Sequence, residues 1–319
     1  MAWIDEPVRV RVPATSANLG PGFDALGLAL TLYDEVEARI IPAGLSIEIS
    51  GEGADLADSG EEHLAVRAMR VAFAVTGAQP PGIGLRCVNR IPHGRGLGSS
   101  AAVVVAGILA ARALSAYGPD KLPDAALLPL AADLEGHPDN VAACLGGGLT
   151  IAWTGPGGPR MVRLEPRPGV TPVVCVAPTP VRTDLARGLL PETVPHRDAA
   201  ANAGRSALLV AALTQPGTRP EVLLDATRDW LHQDYRASAM SQTHALVRSL
   251  RAAGLPAVVS GAGPSVLAFL GARGGPDYRR DLDSLGSIVR ETGIAWHISS
   301  LDVERQGARV LRPEAPPGC

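Results

Sequence analysis

The chain has 319 residues, 46% of them hydrophobic and only 3% aromatic, and a formal net charge of −3. That length is ample for two domains with a sizeable core. The charge supplies no basic field for nucleic acid, and so few aromatic rings leave little to stack against bases.

Lys121 is the sole lysine. An anionic ligand must therefore be held by arginine, by backbone N–H groups or by a metal ion. The four cysteines, Cys87, Cys144, Cys175 and Cys319, show no C-x-x-C or zinc-like spacing. Three of them read as small core hydrophobes, with a catalytic thiol as the alternative. The first residues, "MAWIDEPVRV", carry acids and no apolar core of a signal peptide. The most apolar stretch, 101–114, is interrupted by Arg112 and too short to span a bilayer. The expectation is a soluble cytoplasmic protein with no membrane partner.

Taken along the chain, Val8–Val12 alternates as a strand, and "PATSANLGPGFD" after it reads as a polar loop. Strands are expected at 34–41 and 45–49, a helix over 62–76 ending at Gly77, and a strand at 85–91. A helix begins at Ser99 and another covers most of 124–135; "GGGLTIAW" is a glycine turn feeding a strand. Residues 154–169, rich in Gly and Pro, mark a hairpin or a domain junction. Beyond them come strands near 172–177, 257–260, 265–270 and 295–302. Helices are expected near 184–190, 198–213, 220–230, 240–253 and 277–292. Two α/β domains with mixed sheets fit this order.

"PHGRGLGSSAA", from Pro92 to Ala102, places glycines between a strand and a helix. Free N–H groups at a helix N-terminus favour negative charge, and glycines let the backbone approach a ligand, so the loop suits phosphate. Neither the lysine-bearing P-loop, nor the dinucleotide G-x-G-x-x-G, nor the hydrolase G-x-S-x-G is present. A hydroxyl of Ser99 or Ser100 beside a carboxylate suits Mg²⁺. The bland alternative is a helix cap with Ser99 as N-cap.

Two further stretches accompany this loop: "EGHPDN" at 135–140 and "SGAGPSV" at 260–266. With "VPATSANLGPGFDALGLAL" at 12–30, the set resembles the three motifs of the GHMP kinases, and "PATSANLGPGFD" and "EGHPDN" resemble the homoserine kinases among them. The resemblance implies an α/β (α+β) fold of two domains: a ribosomal-protein-like unit over 1–160 and a ferredoxin-like unit over 161–319. It implies ATP-dependent phosphorylation of the L-homoserine hydroxyl, a step toward threonine, and a homodimer. ATP would lie on Pro92, His93, Gly94, Arg95, Gly96, Leu97, Gly98, Ser99, Ser100, Ala101 and Ala102.

The same resemblance implies Mg²⁺ on Ser100 and Glu135, with Asp133 as the alternative carboxylate. It puts Asn18, Asp24, His137, Asp139, Asn140, Arg187, Arg236 and Gly263 around the amino-acid substrate. Asp24 would hold the ammonium and the two arginines the carboxylate. Asn18 fits an Asx turn equally, and His137 a satisfied loop histidine. Thr183 would lie near the reacting hydroxyl, and Arg182 stands where relatives often have a small residue. Asn140 occupies the place of the aspartate base of mevalonate kinase, and an amide removes no proton. The implied reaction is direct in-line transfer with Asn140, Thr183 and Arg187 as the catalytic set. Rival readings are a kinase of another small hydroxylated metabolite and an inactive small-molecule-binding paralogue.

Overall fold

The computed structural model describes residues 3–311; Cys319 lies outside the described residues. The first part of the chain forms β1 (Val8–Ala17), β2 (Leu26–Ile40), β3 (Gly44–Gly51), a 3-10 helix (Ala54–Glu62), α1 (Leu64–Thr76) and β4 (Gly82–Asn89). Next come α2 (Ser99–Leu114), α3 (Gly118–Lys121), α4 (Asp124–Glu135), α5 (Asp139–Gly146), and the hairpin β5 (Leu149–Gly155) and β6 (Gly158–Leu164). The remainder is β7 (Thr171–Val176), α6 (Thr183–Gly188), α7 (His196–Thr214), α8 (Pro220–Ala226), α9 (Ser241–Ala252), β8 (Ala257–Val259), β9 (Val266–Leu270), α10 (Pro276–Glu291), β10 (His297–Ser300) and β11 (Arg309–Leu311).

The first sheet runs β11-β1-β2-β4-β3, and β5 with β6 joins the start of β2. Among the described residues only β3 and β4 pair in parallel. The β1–β2 register shifts between Pro13 and Ala14, where proline offers no N–H to the ladder. The strand nevertheless continues to Ala17, so the loop expected from Pro13 begins only at Asn18. Residues 12–22 are all buried, and Thr15 N–H donates to Leu97 O at 3.0 Å, so long-range pairing overrides the local loop signal.

α2 is apolar on nearly every side because it is enclosed, with α1, α4 and α5 beside it and the sheet beneath. It packs tightly on α1 at Gly107, where a Cβ would stand 2.6 Å from Ala65 O. The second sheet runs β10-β7-β9-β8, all antiparallel. Alternate residues of β7 enter two cores: Val174 and Val176 join the first with Leu209 and Leu223, and Val173 and Cys175 join the second with Leu246 and Leu285. Near its end the chain returns to the first sheet, β11 pairing with β1.

Cys87, Cys144 and Cys175 are buried and free. Burial pushes all three thiols up, Cys87 and Cys175 to about 12, which suits inert core residues. Among the described residues no helix is long and apolar enough to cross a membrane.

Candidate active site

The three motifs meet where β1 ends. The loop after β4 is anchored first: Asp34 Oδ1 accepts from Arg90 N at 2.6 Å and from Ile91 N at 2.9 Å. Gly94, Gly96 and Gly98 then adopt φ of 63°, 73° and 69°, the left-handed region that glycine enters freely. Gly98, not Ser99, is the N-cap of α2, and no side chain caps the helix. The first-turn N–H groups thus have no side-chain acceptor, a geometry open to an anion.

The loop is pinned from the other motifs. Ser260 Oγ lies 2.7 Å from Gly96 O and 2.8 Å from Ser16 Oγ. Asn18 takes φ 67° and uses both ends of its amide: Nδ2 donates to Gly261 O at 2.8 Å, and Oδ1 accepts from Asp24 N at 2.9 Å. The Asx-type role and a place in the cleft wall coexist at this residue.

The resulting cleft, of about 120 Å³, is lined by Asn18, Gly94, Gly96, Gly98, Ser99, Ser100, Glu135, His137, Asp139, Asn140, Thr183, Arg187 and Arg236, with Gly261 and Ala262. Ser100 Oγ–H donates to Glu135 Oε2 at 2.8 Å; Asp133 is exposed elsewhere on α4. Burial raises the Glu135 carboxyl above its ordinary value, against the opposing pull of the Ser100 bond and of His137. His137 Nδ1 lies 2.7 Å from Asp139 Oδ1, which also accepts from Asn140 N at 2.8 Å. Thr15 Oγ1–H donates to Asn140 Oδ1 at 2.8 Å, fixing the amide over Gly98.

Several residues assigned to ligand contact do not line this cleft. Leu97, Ala101 and Ala102 are buried in the core, and His93 turns into a neighbouring apolar cavity. Pro92 is absent from the cleft wall, and Arg95 directs its guanidinium at backbone carbonyls of Ala177 and Pro178. Gly263 faces Met240, whose Sδ would stand 2.5 Å from an added Cβ. Asp24 sits just behind the wall, bonded to Arg187. Arg182 turns outward to Asp184 and leaves the cleft untouched.

Arg236 is 1% exposed, a buried cation whose hydrogen bonds go to Ala186 O at 3.2 Å and His232 Nδ1 at 3.2 Å. Burial, and then the nearby Arg187, disfavour its charge. An incoming carboxylate would relieve that cost. His232 is held neutral by burial, its Nε2 on Gly20 O at 2.9 Å and its ring on Phe23 at 5.0 Å between centroids. Phe23 also lies under both guanidiniums, at 5.9 Å from Arg187 and 5.3 Å from Arg236.

Comparison with known proteins settles the kinship. Residues 63–148 match the GHMP kinases N terminal domain. Over 304 residues the chain is 56% identical to a homoserine kinase of Streptomyces coelicolor, covering 95% of this chain and 94% of that one.

The chain belongs to the homoserine kinase family.

A homoserine kinase of Clavibacter michiganensis is 49% identical over 95% of this chain and 93% of its own. The crystal structure of homoserine kinase from Cytophaga hutchinsonii superposes with a TM-score of 0.83 at 27% identity, covering 98% of this chain and 99% of that one. Mevalonate kinase of L. major, at 16% identity and a TM-score of 0.65, shares the fold.

Within this homoserine kinase framework, sequence reasoning missed the supports: Thr15, Ser16, Phe23, Asp229 and His232. Asp229 accepts from three successive N–H groups, those of Leu231, His232 and Gln233, and so shapes the turn that presents Arg236. It also missed a second cavity of about 310 Å³ that shares Ser99 and Ser100 with the first. Its apolar walls are Ile49, Leu56, Leu64 and Val103, with His63, His93 and Asn89 at the polar points. A small-residue motif followed by a helix carries no local sign of such a wall.

Proposed function

We propose that this chain transfers the γ-phosphate of ATP to the side-chain hydroxyl of L-homoserine, a step in threonine biosynthesis. One observation carries the reading: a glycine loop with uncapped helix N–H groups opens into the same cleft as Ser100–Glu135, Asn140, Thr183, Arg187 and Arg236. A triphosphate and a zwitterionic amino acid are what those groups match. The apolar cavity beside Ser99 fits the nucleoside end of ATP.

Ser100 and Glu135 suit Mg²⁺, because this ion is usually held by one or two protein oxygens plus phosphate and water. Among the described residues no group of three or more His, Cys, Asp or Glu side chains is placed to hold a metal; phosphate and water oxygens would complete the shell of an ion on Ser100 and Glu135. When bound, the ion neutralises charge on the transferring phosphoryl group. The loop N–H groups cradle the phosphate oxygens, and Arg187 and Arg236 take the substrate carboxylate. Asp24 takes the ammonium. Asn140, with Oδ1 already accepting from Thr15, offers Nδ2–H to orient the hydroxyl. No side chain here acts as general base; positioning and charge neutralisation carry the transfer. The reading extends to a division of the chain near residue 160 and to a cytoplasmic homodimer, as the family resemblance implies.

A coupled assay for ADP release, run over L-homoserine, L-threonine, mevalonate and galactose, tests the assignment. Turnover on L-homoserine well above the others is expected. Activity on mevalonate without activity on L-homoserine overturns it.

A further inference from the structure

One side chain stitches the glycine loop to the segment that delivers the amino-acid side of the cleft. Arg95 Nε donates to Ala177 O at 2.9 Å, Nη2 to Pro178 O at 3.0 Å and Nη1 to His93 O at 3.0 Å. Beside it, Val181 N–H donates to Gly94 O at 3.0 Å. Pro180 Cβ stands 3.0 Å from where a Cβ on Gly94 would lie. The residues held this way run from the end of β7 to the start of α6, which carries Thr183 and Arg187.

Three carbonyls in different directions need a rigid, planar set of donors, which arginine has and lysine lacks. Those bonds occupy Nε and both Nη atoms of the guanidinium, and Arg95 is absent from the cleft wall. The side chain is four-fifths buried, with Glu52 Oε2 3.8 Å away.

We propose that Arg95 is a positioning residue that couples the two substrate sites, making the placement of Thr183 and Arg187 depend on occupancy of the glycine loop. This rests on the assignment of ATP to the loop and of the amino acid to α6. A loop ordered by phosphates passes that order to residues 177–182 through the strap, so the second ligand meets a segment that costs less to fix. By linkage the amino acid tightens the nucleotide by the same factor.

The test titrates L-homoserine and the non-hydrolysable ATP analogue AMP-PNP, each alone and with the other saturating, into wild type, Arg95→Ala and Arg95→Lys. In the wild type each ligand should tighten the other by about fivefold or more, and in both variants by less than about twofold. Equal coupling in variants and wild type overturns the proposal, as does a wild type without coupling. Weakened AMP-PNP binding with coupling intact would instead make Arg95 a phosphate ligand, and also overturns it. Should a variant fail to fold, hydrogen exchange on the wild type decides: AMP-PNP alone should slow exchange over 181–187, and unchanged exchange there sinks the idea. Absence of turnover on L-homoserine defeats the substrate assignment but leaves this exchange readout intact.

Discussion

Arg187 grips both carboxylate oxygens of Asp24, Nη2 to Oδ1 at 2.7 Å and Nη1 to Oδ2 at 3.1 Å, across 163 residues of chain. The Asp24 bond raises the guanidinium's affinity for its proton, outweighing burial. The pair joins the first-motif loop to α6 and sets side by side the two charges that a free amino acid presents in reverse. On the proposed reading, an amino acid would exchange this internal pair for its own ammonium on Asp24 and its own carboxylate on Arg187.

Asp24→Asn and Arg187→Met should each raise the KM for L-homoserine by roughly ten- to a hundredfold, the worth of one charge-assisted hydrogen bond. The KM for ATP should move little. Steady-state kinetics with each substrate varied in turn checks this split. An equal rise in both KM values would mean that the pair holds the fold together and does not read the substrate.

The loop glycines should rank by what a methyl group meets. A Cβ on Gly98 would lie 2.0 Å from Thr15 Oγ1 and 3.0 Å from Asn140 Oδ1, and one on Gly96 would lie 2.1 Å from Ser260 O. On Gly94 the nearest atom is Pro180 Cβ, at 3.0 Å. All three alanines incur about 1–2 kcal/mol for a left-handed backbone. Gly96→Ala and Gly98→Ala add a collision with groups that shape the loop, so AMP-PNP binding should be lost in both and only weakened in Gly94→Ala. Calorimetry on the three variants tests the order.

Asn140 separates positioning from proton removal. Asn140→Ala should lower kcat by about a hundredfold, as expected when a reacting group loses its alignment. Asn140→Asp supplies a base at the same place and, if transfer needs none, should give no gain. A higher kcat in Asn140→Asp with a new acidic limb in its pH profile would show that a base helps after all.

His137 carries the pH prediction. Burial pulls its pKa down, but the Asp139 hydrogen bond and the charges of Asp139 and Glu135 outweigh burial, and the net shift is upward. Protonation therefore stabilises the folded state. That contribution is full below the ordinary histidine value of about 6.5 and fades as pH rises through the raised folded value. In Asp139→Asn burial loses its main opposition, and the His137 midpoint, followed by NMR of the ring Cε1–H, should drop below its wild-type value. An unmoved midpoint would remove Asp139 as the cause.

Glu135→Gln keeps the shape and an acceptor for Ser100 while removing the charge. Half-saturating Mg²⁺ in the ADP-release assay should rise by more than about tenfold, since Mg²⁺ affinity follows ligand charge. An unchanged requirement would direct the search for a metal ligand elsewhere.

Most of the regular elements were legible because their signals are local. The 62–76 helix, its stop at Gly77, the strand–glycine loop–helix order around Gly94–Ser100 and the strands of the second half all lie within a residue or a few of their expected bounds. Local signals misled at several places, β2 for one beginning at Leu26 and not near residue 34. Proline and hydroxyl residues in "PATSA" read as a loop, yet the stretch is a buried strand because Leu97 and Gly261 bond to its backbone. α5 went unread because its apolar run is short and framed by "HPDN" and three glycines.

Which residue types sit in the cleft was encoded in short motifs: glycines in the loop after β4, Ser100 at the first helical turn, and a set of carboxylates and arginines. Which of them work together was decided only by folding. Asp24 met Arg187, Thr15 met Asn140, and Arg95 left the phosphate for the carbonyls of Ala177 and Pro178, through contacts spanning from 82 to 163 residues. A side chain's partner depends on what the packed sheets and helices carry into reach, and no local spacing holds that information.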